Sequence, residues 1–327
     1  MPFAPLTSTI AAALSAAVVG SPHAAVRAAA IRAVSWHGGP QRTGTGEVVT
    51  VYVSDSYADG DLAARWAGFL AGLVHGSELQ ALTAYVAPAA ELEALCGSAE
   101  AAGCYGGNRL VFDGTDELGI RPEAIAAHEY GHHVAANRQN LPWRALDWGP
   151  KHWASQVGVC ARAAAGTAFP GDEGDRYTLN PGEGFAETYR VLNGMSTGIE
   201  PDWPIIDPSF RPESTALEAA RRDVLEPWRA ATTQTVVHRF RAAEPRTWTT
   251  RIATPLDGDV TVQLSYPVAA SFGATAIAPD RHVLAGAAQT GTGRRELSFQ
   301  ACGQRSFELR IARQRAAGSV RVRITTP

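Results

Sequence analysis

The residues of this chain that are best suited to chemistry are His128, Glu129 and His132, in the segment His-Glu-Tyr-Gly-His. On an α-helix, residues four apart share one face with Cβ atoms about 6 Å apart, so both histidines can direct a ring nitrogen at one metal ion. Glu129 lies one step around the helix, where it would flank the metal and act as general base for a water molecule. The spacing predicts a zinc site on a helix from Pro122 to Asn137.

The alternative is that His128 and His132 are ordinary core or surface histidines. The chain has nine histidines among 327 residues, and so few rarely flank an acidic residue at this spacing by chance, which favours the metal site. His133 is not expected to be a ligand, because it points about 100° away from His132 around the helix.

A catalytic zinc ion usually has three protein ligands and a water molecule. An extended motif would supply the third ligand nearby, but it needs Gly and His where this chain has Ala135 and Arg138. The third ligand must therefore come from elsewhere. Glu183 and Glu187 share one face of a second predicted helix. We assign Glu183 as the third ligand, and Glu187 as the acceptor of the far N–H of a ligating histidine.

Two other assignments of this second helix stay open. Asn180 and Glu183 have the spacing of a capping box, so Glu183 could simply stabilise the start of the helix. Glu187 could also be the ligand, with the two roles exchanged. The loop before the helix carries three acidic residues, which we interpret as solvated or as a weak calcium site: Asp172, Glu173 and Asp175.

The two motifs together resemble those of the gluzincin metallopeptidases. In that family a His-Glu-x-x-His helix is followed by a helix with two glutamates four residues apart, here Glu183-Gly-Phe-Ala-Glu187. The resemblance implies a catalytic Zn²⁺ held by His128, His132 and Glu183, with Glu187 supporting a histidine. It also implies a tyrosine shortly before the first glutamate as a transition-state donor, and Tyr177 is the candidate at that position.

The resemblance covers about residues 48–230 and implies a zincin-like domain that acts as a zinc-dependent endopeptidase on peptide or protein substrates. In such chemistry Glu129 would carry a proton from water to the leaving amine. Tyr177 would stabilise the oxyanion, with His152 as the alternative donor. Three tryptophans could line an apolar substrate cleft, although residues at this spacing are more often core: Trp143, Trp148 and Trp153.

Other functions are compatible with the same residues. The chain could be a catalytically inactive or non-peptidase zinc-binding secreted protein that uses its C-terminal segment for adhesion. It could hydrolyse a non-peptide amide, or its C-terminal segment alone could carry the function. The intact set of His128, Glu129 and His132 argues against a loss of activity, because a decayed site would be expected to lose its general base.

The elements that must position the first motif alternate in type along the chain. Strands are predicted at Val48–Ser54, Leu82–Val86 and Arg109–Phe112, with an amphipathic helix from Asp61 to His75 that stops at Gly76. This order before His128 is similar to the upper half of a zincin domain. Later helices are predicted from Pro150 to Ala161, from Asn180 to Asn193, and from a capping box at Thr215 and Glu218 to Pro227.

After about residue 232 the apolar residues alternate with a period of two. Six strands are predicted there: Val236–Arg241, Trp248–Ile252, Val260–Leu264, Glu296–Phe299, Phe307–Ile311 and Val320–Ile324. Short strands at this spacing indicate a β-sandwich. Residues 302–313 and 318–324 resemble the last strands of the bacterial pre-peptidase C-terminal domain, which implies an exported peptidase.

The predicted architecture is therefore an α+β zincin-like catalytic domain followed by an all-β sandwich. We place the catalytic domain at residues 46–231 and the sandwich at 232–327. Residues 1–45 are Ala-rich, and we interpret them as a leader, a signal peptide or a pro segment.

Composition limits the partners. The net charge is −3 and the isoelectric point is about 6.3, so no nucleic-acid-binding surface is indicated. The Ala/Val stretch from Ile10 to Gly20 is too short for a membrane span, which needs about 20 apolar residues. It has the length of a signal-peptide core and Ala28–Ala30 offers a cleavage site, but no basic residue precedes it. A disordered Ala-rich leader is the alternative.

The cysteines favour export. Cys96 and Cys104 lie in a Gly/Ala-rich loop that has no core of its own and would gain from a disulfide bond. Two free cysteines or two soft metal ligands are the alternatives, but a Cys-x-x-Cys pair is absent. Cys160 and Cys302 are then left, and they could pair across the two predicted domains. Together with the weak signal-like stretch, the predicted disulfide bonding indicates a secreted protein.

Overall fold

The computed structural model describes residues 26–99, 101–116, 120–197 and 206–327. The Ala/Val stretch from Ile10 to Gly20 lies outside these residues. Within them, a region with helices and one mixed sheet precedes a C-terminal region built of strands. None of the described helices is long and apolar enough to cross a membrane.

The sheet of the first region lies behind the candidate site. Its strands are β1 (Trp36–Arg42), β2 (Val48–Ser54), β3 (Thr83–Ala87), β4 (Gly103–Gly106) and β5 (Arg109–Asp113). The order is β1-β2-β3-β5-β4, with β2, β3 and β5 parallel and the two outer strands antiparallel. The three inner strands are those predicted. Most residues of β5 are buried, and completely buried residues alternate with partly exposed ones along most of β2 and β3.

The two outer strands were not predicted, and regular structure begins before Val48. β1 reads Trp-His-Gly-Gly-Pro-Gln-Arg, which has no strand pattern, and Gly38 adopts φ +95°. A Cβ at Gly38 would lie 2.6 Å from the carbonyl oxygen of Val51, so only glycine permits this close pairing. β1 lies within residues 1–45, so part of the expected leader segment belongs to the sheet.

The helices of the described residues cover the sheet and build the site. They are α1 (Ala28–Ala33), α2 (Leu62–Gly72), α3 (Ala89–Cys96), α4 (Pro122–Ala136), α5 (Ala145–Trp148), α6 (Lys151–Val157), α7 (Val159–Ala164), α8 (Pro181–Thr197) and α9 (Ser214–Leu225). The predicted helix at the first motif is confirmed as α4, with Pro122 at its first position. Proline is favoured there because its missing N–H would have no helical partner.

Several predicted helix boundaries were wrong. α2 ends at Gly72 instead of His75. The helix expected after Pro150 is two helices, because Gly158 between them adopts a left-handed conformation with φ +73°. The capping box at Thr215 is not formed, since α9 begins at Ser214.

The predicted end of α8 at Asn193 was also wrong, and the reason is a tertiary contact. The side chain of Asn193 accepts a hydrogen bond from the backbone N–H of Val74 at 2.7 Å and donates to the carbonyl of Tyr189 at 2.9 Å. Asn193 is therefore satisfied inside the helix, which continues to Thr197.

The C-terminal region contains two sheets. Their strands are β6 (Thr232–Phe240), β7 (Thr247–Ala253), β8 (Gly258–Ser265), β9 (Ser271–Ile277), β10 (Val283–Gly286), β11 (Ala288–Gly291), β12 (Arg294–Ala301), β13 (Ser306–Arg315) and β14 (Gly318–Thr326). The sheet orders are β10-β9-β13-β7 and β11-β12-β8-β14-β6. Inward side chains of both sheets form one apolar core, an arrangement compatible with a β-sandwich. All six predicted strands are present, and β9, β10 and β11 were missed.

Two disulfide bonds are present. Cys96 pairs with Cys104, as predicted, and their Cα atoms are 5.7 Å apart. Cys160 pairs with Cys302, with Cα atoms 5.2 Å apart, and joins α7 to the C-terminal region. The hydroxyl of Ser155 on α6 accepts a hydrogen bond from the N–H of Asp257 in the C-terminal region at 2.9 Å. The two regions are thus tied both covalently and by polar contacts.

Candidate metal centre

The candidate site is formed where α4 crosses α8. The crossing is close because Gly131, between the two histidines of the motif, has no side chain. A Cβ at Gly131 would lie 2.7 Å from the Cα of Ala186 and 3.0 Å from its carbonyl oxygen. Glycine at this position therefore lets the backbones approach, and brings Glu183 on α8 opposite His128 and His132 on α4.

Three side chains from the two helices converge. The Nε2 atom of His128 lies 3.1 Å from Oε2 of Glu183, and Nε2 of His132 lies 3.4 Å from Oε1 of the same carboxylate. One ligand atom from each residue can be chosen so that all three lie within 4.8 Å of one another. Among the described residues this is the one group of three or more histidine, cysteine or acidic side chains with that geometry.

The three side chains are also withdrawn from solvent. The exposed fractions are 4% for His128, 12% for His132 and 4% for Glu183. Two imidazole nitrogens and one carboxylate are ligands that zinc accepts, and three protein ligands leave a position for water or substrate. The number and the chemical type of these residues therefore fit a zinc site, and His132 keeps limited contact with solvent.

The charges of the metal-free site depend on one another. Burial lowers the pKa of His128, but hydrogen bonds to Glu183 and Glu187 outweigh it and raise that pKa to about 10. Burial likewise opposes the charged form of His132, and the charge of Glu183 outweighs it, so the pKa of His132 is also raised. The two histidines in turn hold the pKa of Glu183 below its ordinary value despite burial. Without metal, protons on the histidines neutralise this carboxylate.

Glu187 lies behind His128, on the side away from Glu183. Its Oε2 atom is 3.7 Å from Nδ1 of His128, and Arg190 donates two hydrogen bonds to it, at 2.8 and 2.5 Å. Arg190 is almost completely buried, so this pair holds the carboxylate in place. The position agrees with a supporting role for Glu187 and places Glu183, not Glu187, between the two histidines.

Glu129 lies beside the group and next to the edge strand β4. It is 9% exposed, and the position of a Cβ at Gly103 of β4 would be 3.0 Å from its Cγ atom. Burial raises the pKa of Glu129, the two histidine charges oppose this, and the charge of Glu183 adds to it. A carboxylate with a raised pKa is suited to accept and return a proton near neutral pH.

Tyr177 reaches the site from the loop before α8. It begins a short 3₁₀ helix, Tyr177–Leu179, and its hydroxyl donates to Oε2 of Glu183 at 2.5 Å. Burial, followed by the charge of Glu183, raises the pKa of Tyr177 well above its ordinary range. The phenol is thus a neutral hydrogen-bond donor beside the candidate ligand.

Glu173 interacts electrostatically with the candidate site, which sequence reasoning missed, because burial and then the charge of Glu183 raise its pKa to about 7. It was grouped with Asp172 and Asp175 as a solvated or calcium-binding loop, but these three carboxylates do not converge. Asp172 accepts hydrogen bonds from nearby backbone N–H groups, and Asp175 is exposed. The Nδ2 atom of Asn180 instead donates to Oε1 of Glu173 at 3.0 Å.

His152 lies in a different environment. Its Nδ1 atom is 2.8 Å from Oδ1 of Asp223, which also accepts from the backbone N–H of His152. It lines a cavity of about 420 Å³ between α6, α9 and the C-terminal region, which contains none of the three candidate ligands. The structure does not bring His152 into contact with the three candidate metal ligands.

The three tryptophans have separate positions. Trp153 is completely buried and packs edge-on against Phe185, so it is a core residue. Trp143 and Trp148 are partly exposed and stack with ring centroids 4.8 Å apart.

His133 and Arg138 have structural partners. The Nε2 atom of His133 lies 2.8 Å from the carbonyl oxygen of Glu78, which agrees with its exclusion as a ligand. Arg138 pairs with the carboxylate of Glu78 at 2.7 Å and donates to carbonyl oxygens near the end of α9. The residue that replaces the histidine of the extended motif therefore anchors α4 instead.

No protein-family model matches this chain, and no curated protein matches its sequence. Its function therefore has to be inferred from the geometry of the site.

Proposed function

We propose that the protein is a zinc-dependent peptidase of the gluzincin type. The observation that carries this proposal is the convergence of His128, His132 and Glu183 within 4.8 Å, with Glu129 beside them. Two helices that are far apart in the sequence supply these ligands, and they cross closely at Gly131.

The residues around the group have the roles that peptide hydrolysis requires. A zinc ion bound there would polarise the substrate carbonyl and lower the pKa of its water to about 7. Glu129 would accept a proton from the attacking water and deliver it to the leaving amine. Tyr177 would turn its hydroxyl from Glu183 towards the developing oxyanion, where such a donor contributes about 100-fold or more to the rate.

A peptide substrate is favoured by the strand next to Glu129. β4 pairs with β5 on one side, and no described strand pairs with its other side. An extended peptide could add to such an edge through main-chain hydrogen bonds, which would hold a scissile bond near the general base. The two disulfide bonds are compatible with an oxidising location outside the cytoplasm, as expected for a secreted peptidase.

Replacement of the general base tests this function. Glu129→Gln should retain one zinc ion per chain, because Glu129 is not a ligand, and should reduce casein hydrolysis by at least about 100-fold. Glu123→Gln, in the first turn of the same helix, is the matched control and should keep both properties. The measurements are zinc by atomic absorption and casein cleavage by gel electrophoresis.

Full activity in Glu129→Gln would contradict the proposal. Zinc binding without cleavage of any peptide by the wild-type protein would also contradict it, and would favour a zinc-binding protein with another role or a hydrolase of non-peptide amides.

A further inference from the structure

The C-terminal region carries a charge opposite in sign to that of the rest of the chain. Residues 232–327 contain thirteen arginines, no lysine and six acidic residues, which give a net charge of +7. The whole chain has a net charge of −3, so residues 1–231 carry −10. Such an asymmetry is typical of a chain in which one part meets a partner of opposite charge.

Four of these arginines share the outer face of the five-stranded sheet, and all four are exposed: Arg239 on β6, Arg294 on β12, and Arg321 and Arg323 on β14. The register brings them together, because residues directly opposite one another point to the same face. Ser265 of β8 lies between Arg294 and Arg321. Arg239 lies opposite Ser319, two residues before Arg321.

These four charges are close to one another and have no ion pair. Strands are about 4.8 Å apart and alternate residues of one strand about 6.7 Å, so each arginine has another within about 10 Å. Among the described residues, no carboxylate lies within 4.0 Å of their guanidinium groups. Two acidic residues share this face. Glu296 accepts a hydrogen bond from Gln263 at 3.0 Å, and Asp259 lies at the opposite end of β8 from Ser265.

The outer face of the four-stranded sheet differs in its charges. There, Arg310 pairs with Glu308 of the same strand at 2.8 Å. Arg251 on β7 lies directly opposite Glu308 in the register. The accumulation of arginines without ion pairs is therefore a property of one face of the C-terminal region and not of the region as a whole.

The remaining side chains of the arginine-bearing face are mostly hydroxyls and amides, which donate and accept hydrogen bonds. Thr233, Thr325 and Thr261 form one row across it, and Thr235, Arg323 and Gln263 form the next. None of the described residues on this face is aromatic, so it lacks the rings that stack on bases of single-stranded nucleic acids. Val237, at 60% exposed, is its one large exposed apolar residue in the described strands, whereas membrane-surface helices bury a whole apolar face.

We propose that this face of the five-stranded sheet binds an anionic polysaccharide, whose sulfate or carboxylate groups contact the four arginines. The planar guanidinium group suits such anions, because it can donate two parallel hydrogen bonds to their oxygen atoms. A polymer with repeated negative charges neutralises several arginines at once and releases its counterions. The neighbouring hydroxyl and amide groups match the hydroxyls of sugars. This surface would act independently of the candidate metal centre.

The double variant Arg321→Gln/Arg323→Gln, made in the full chain, tests the inference. Arg251→Gln/Arg310→Gln is the matched control, because it removes the same charge from exposed positions on the other sheet. Arg321→Lys/Arg323→Lys keeps the charge at the proposed site and reports any effect of the strand itself. The probes are fluorescein-labelled dextran sulfate, polygalacturonate and uncharged dextran. Fluorescence anisotropy at several salt concentrations measures their affinity.

The wild-type protein should bind dextran sulfate more tightly than uncharged dextran, and the affinity should fall as salt is added. The glutamine variant of Arg321 and Arg323 should weaken binding by at least about tenfold and reduce the slope of log affinity against log salt by about 1 to 2. The control variant and the lysine variant should each stay within about threefold of wild type. Binding of polygalacturonate as tight as that of dextran sulfate would identify carboxylates as sufficient, and weaker binding would identify sulfates as preferred.

Three results would overturn the inference. One is the absence of dextran sulfate binding by the wild-type protein at about 0.15 M salt. Another is an equal loss in the two glutamine variants, which would mean that binding follows net charge alone. The third is tighter binding of single-stranded DNA or phosphatidylserine vesicles than of either polysaccharide. Zinc-free protein should bind dextran sulfate as tightly as zinc-loaded protein, so a failure of the proposed peptidase activity and a failure of this surface are separate results.

Discussion

At the scale of single residues, the proposed zinc ion would compete with protons for the same two nitrogens, Nε2 of His128 and Nε2 of His132. Both face the carboxylate of Glu183, which raises the pKa of each histidine against the effect of burial. A metal ligand must be the neutral imidazole. The protonated histidines that neutralise Glu183 in the metal-free protein must therefore lose protons when zinc binds.

We expect zinc binding at pH 7 to release at least one proton from His128 and His132, and its affinity to increase as the pH rises. The sign follows from the raised pKa values, because the metal-free site holds protons that the zinc site cannot hold. Titration calorimetry in two buffers of different ionisation enthalpy measures this release. Binding heats that do not depend on the buffer would contradict the charge state described here.

The residues that the sequence predicted best are those whose relation is local. His128, Glu129 and His132 are fixed relative to one another by the helix that carries them. Glu183 could be predicted because the chain offers few carboxylates on a later helix. The hydrogen bond from Asn180 to Glu173 could not be predicted, because it depends on the fold of an irregular loop.

At the scale of elements, the site depends on how closely α4 and α8 cross. We expect Gly131→Ala to destabilise the protein by about 1 to 3 kcal/mol, because the added methyl group would overlap the backbone at Ala186. It should also weaken zinc binding by about tenfold or more, since displacement of α8 moves Glu183 away from both histidines. Thermal unfolding and competition with a zinc chelator measure the two effects.

Gly68 on α2 provides the matched control. It is exposed, and a Cβ there would have no neighbour within 4 Å. Gly68→Ala should therefore stabilise the protein by about 0.5 to 1 kcal/mol and leave zinc affinity unchanged. Equal effects of the two substitutions would show that the crossing at Gly131 does not control the site.

The sequence predicted correctly those elements in which burial produces a clear pattern of apolar residues. β2, β3 and β5 are apolar runs in the middle of the sheet. β1 and β4 are edge strands rich in glycine, and their pairing is set by neighbours that the local sequence does not specify. The predictions of helix ends were wrong because tertiary contacts also set these ends. Asn193, for example, lies within α8 and accepts a hydrogen bond from the N–H of Val74.

At the scale of the whole molecule, the two regions meet around Lys151, the only lysine of the chain. Lys151 is completely buried. Its ammonium group donates to the carbonyl oxygen of Leu141 at 2.5 Å and lies over the rings of Trp143 and Trp228. Burial lowers its pKa to about 8, and the charges of nearby aspartates, Asp257 first, oppose this.

We expect the free energy of unfolding of the wild-type protein, relative to Lys151→Met, to increase between about pH 8 and pH 10.5. The pKa of the folded state is below that of the unfolded chain, so the unfolded state binds more protons in this window and stability rises with pH. The increase should be about 2 to 3 kcal/mol. Urea unfolding of both proteins across this range measures it, and parallel pH profiles would contradict the effect.

The central claim is that His128, His132 and Glu183 hold a zinc ion, and the most direct test is the zinc affinity of three proteins. The wild-type protein should bind one zinc ion. Glu183→Gln should weaken binding by at least about 100-fold, because a ligand is lost. Glu187→Gln should weaken it by about 10 to 100-fold, because only the support of His128 is lost. Wild-type protein that binds no zinc, or Glu183→Gln that binds it as tightly as wild type, would contradict the claim.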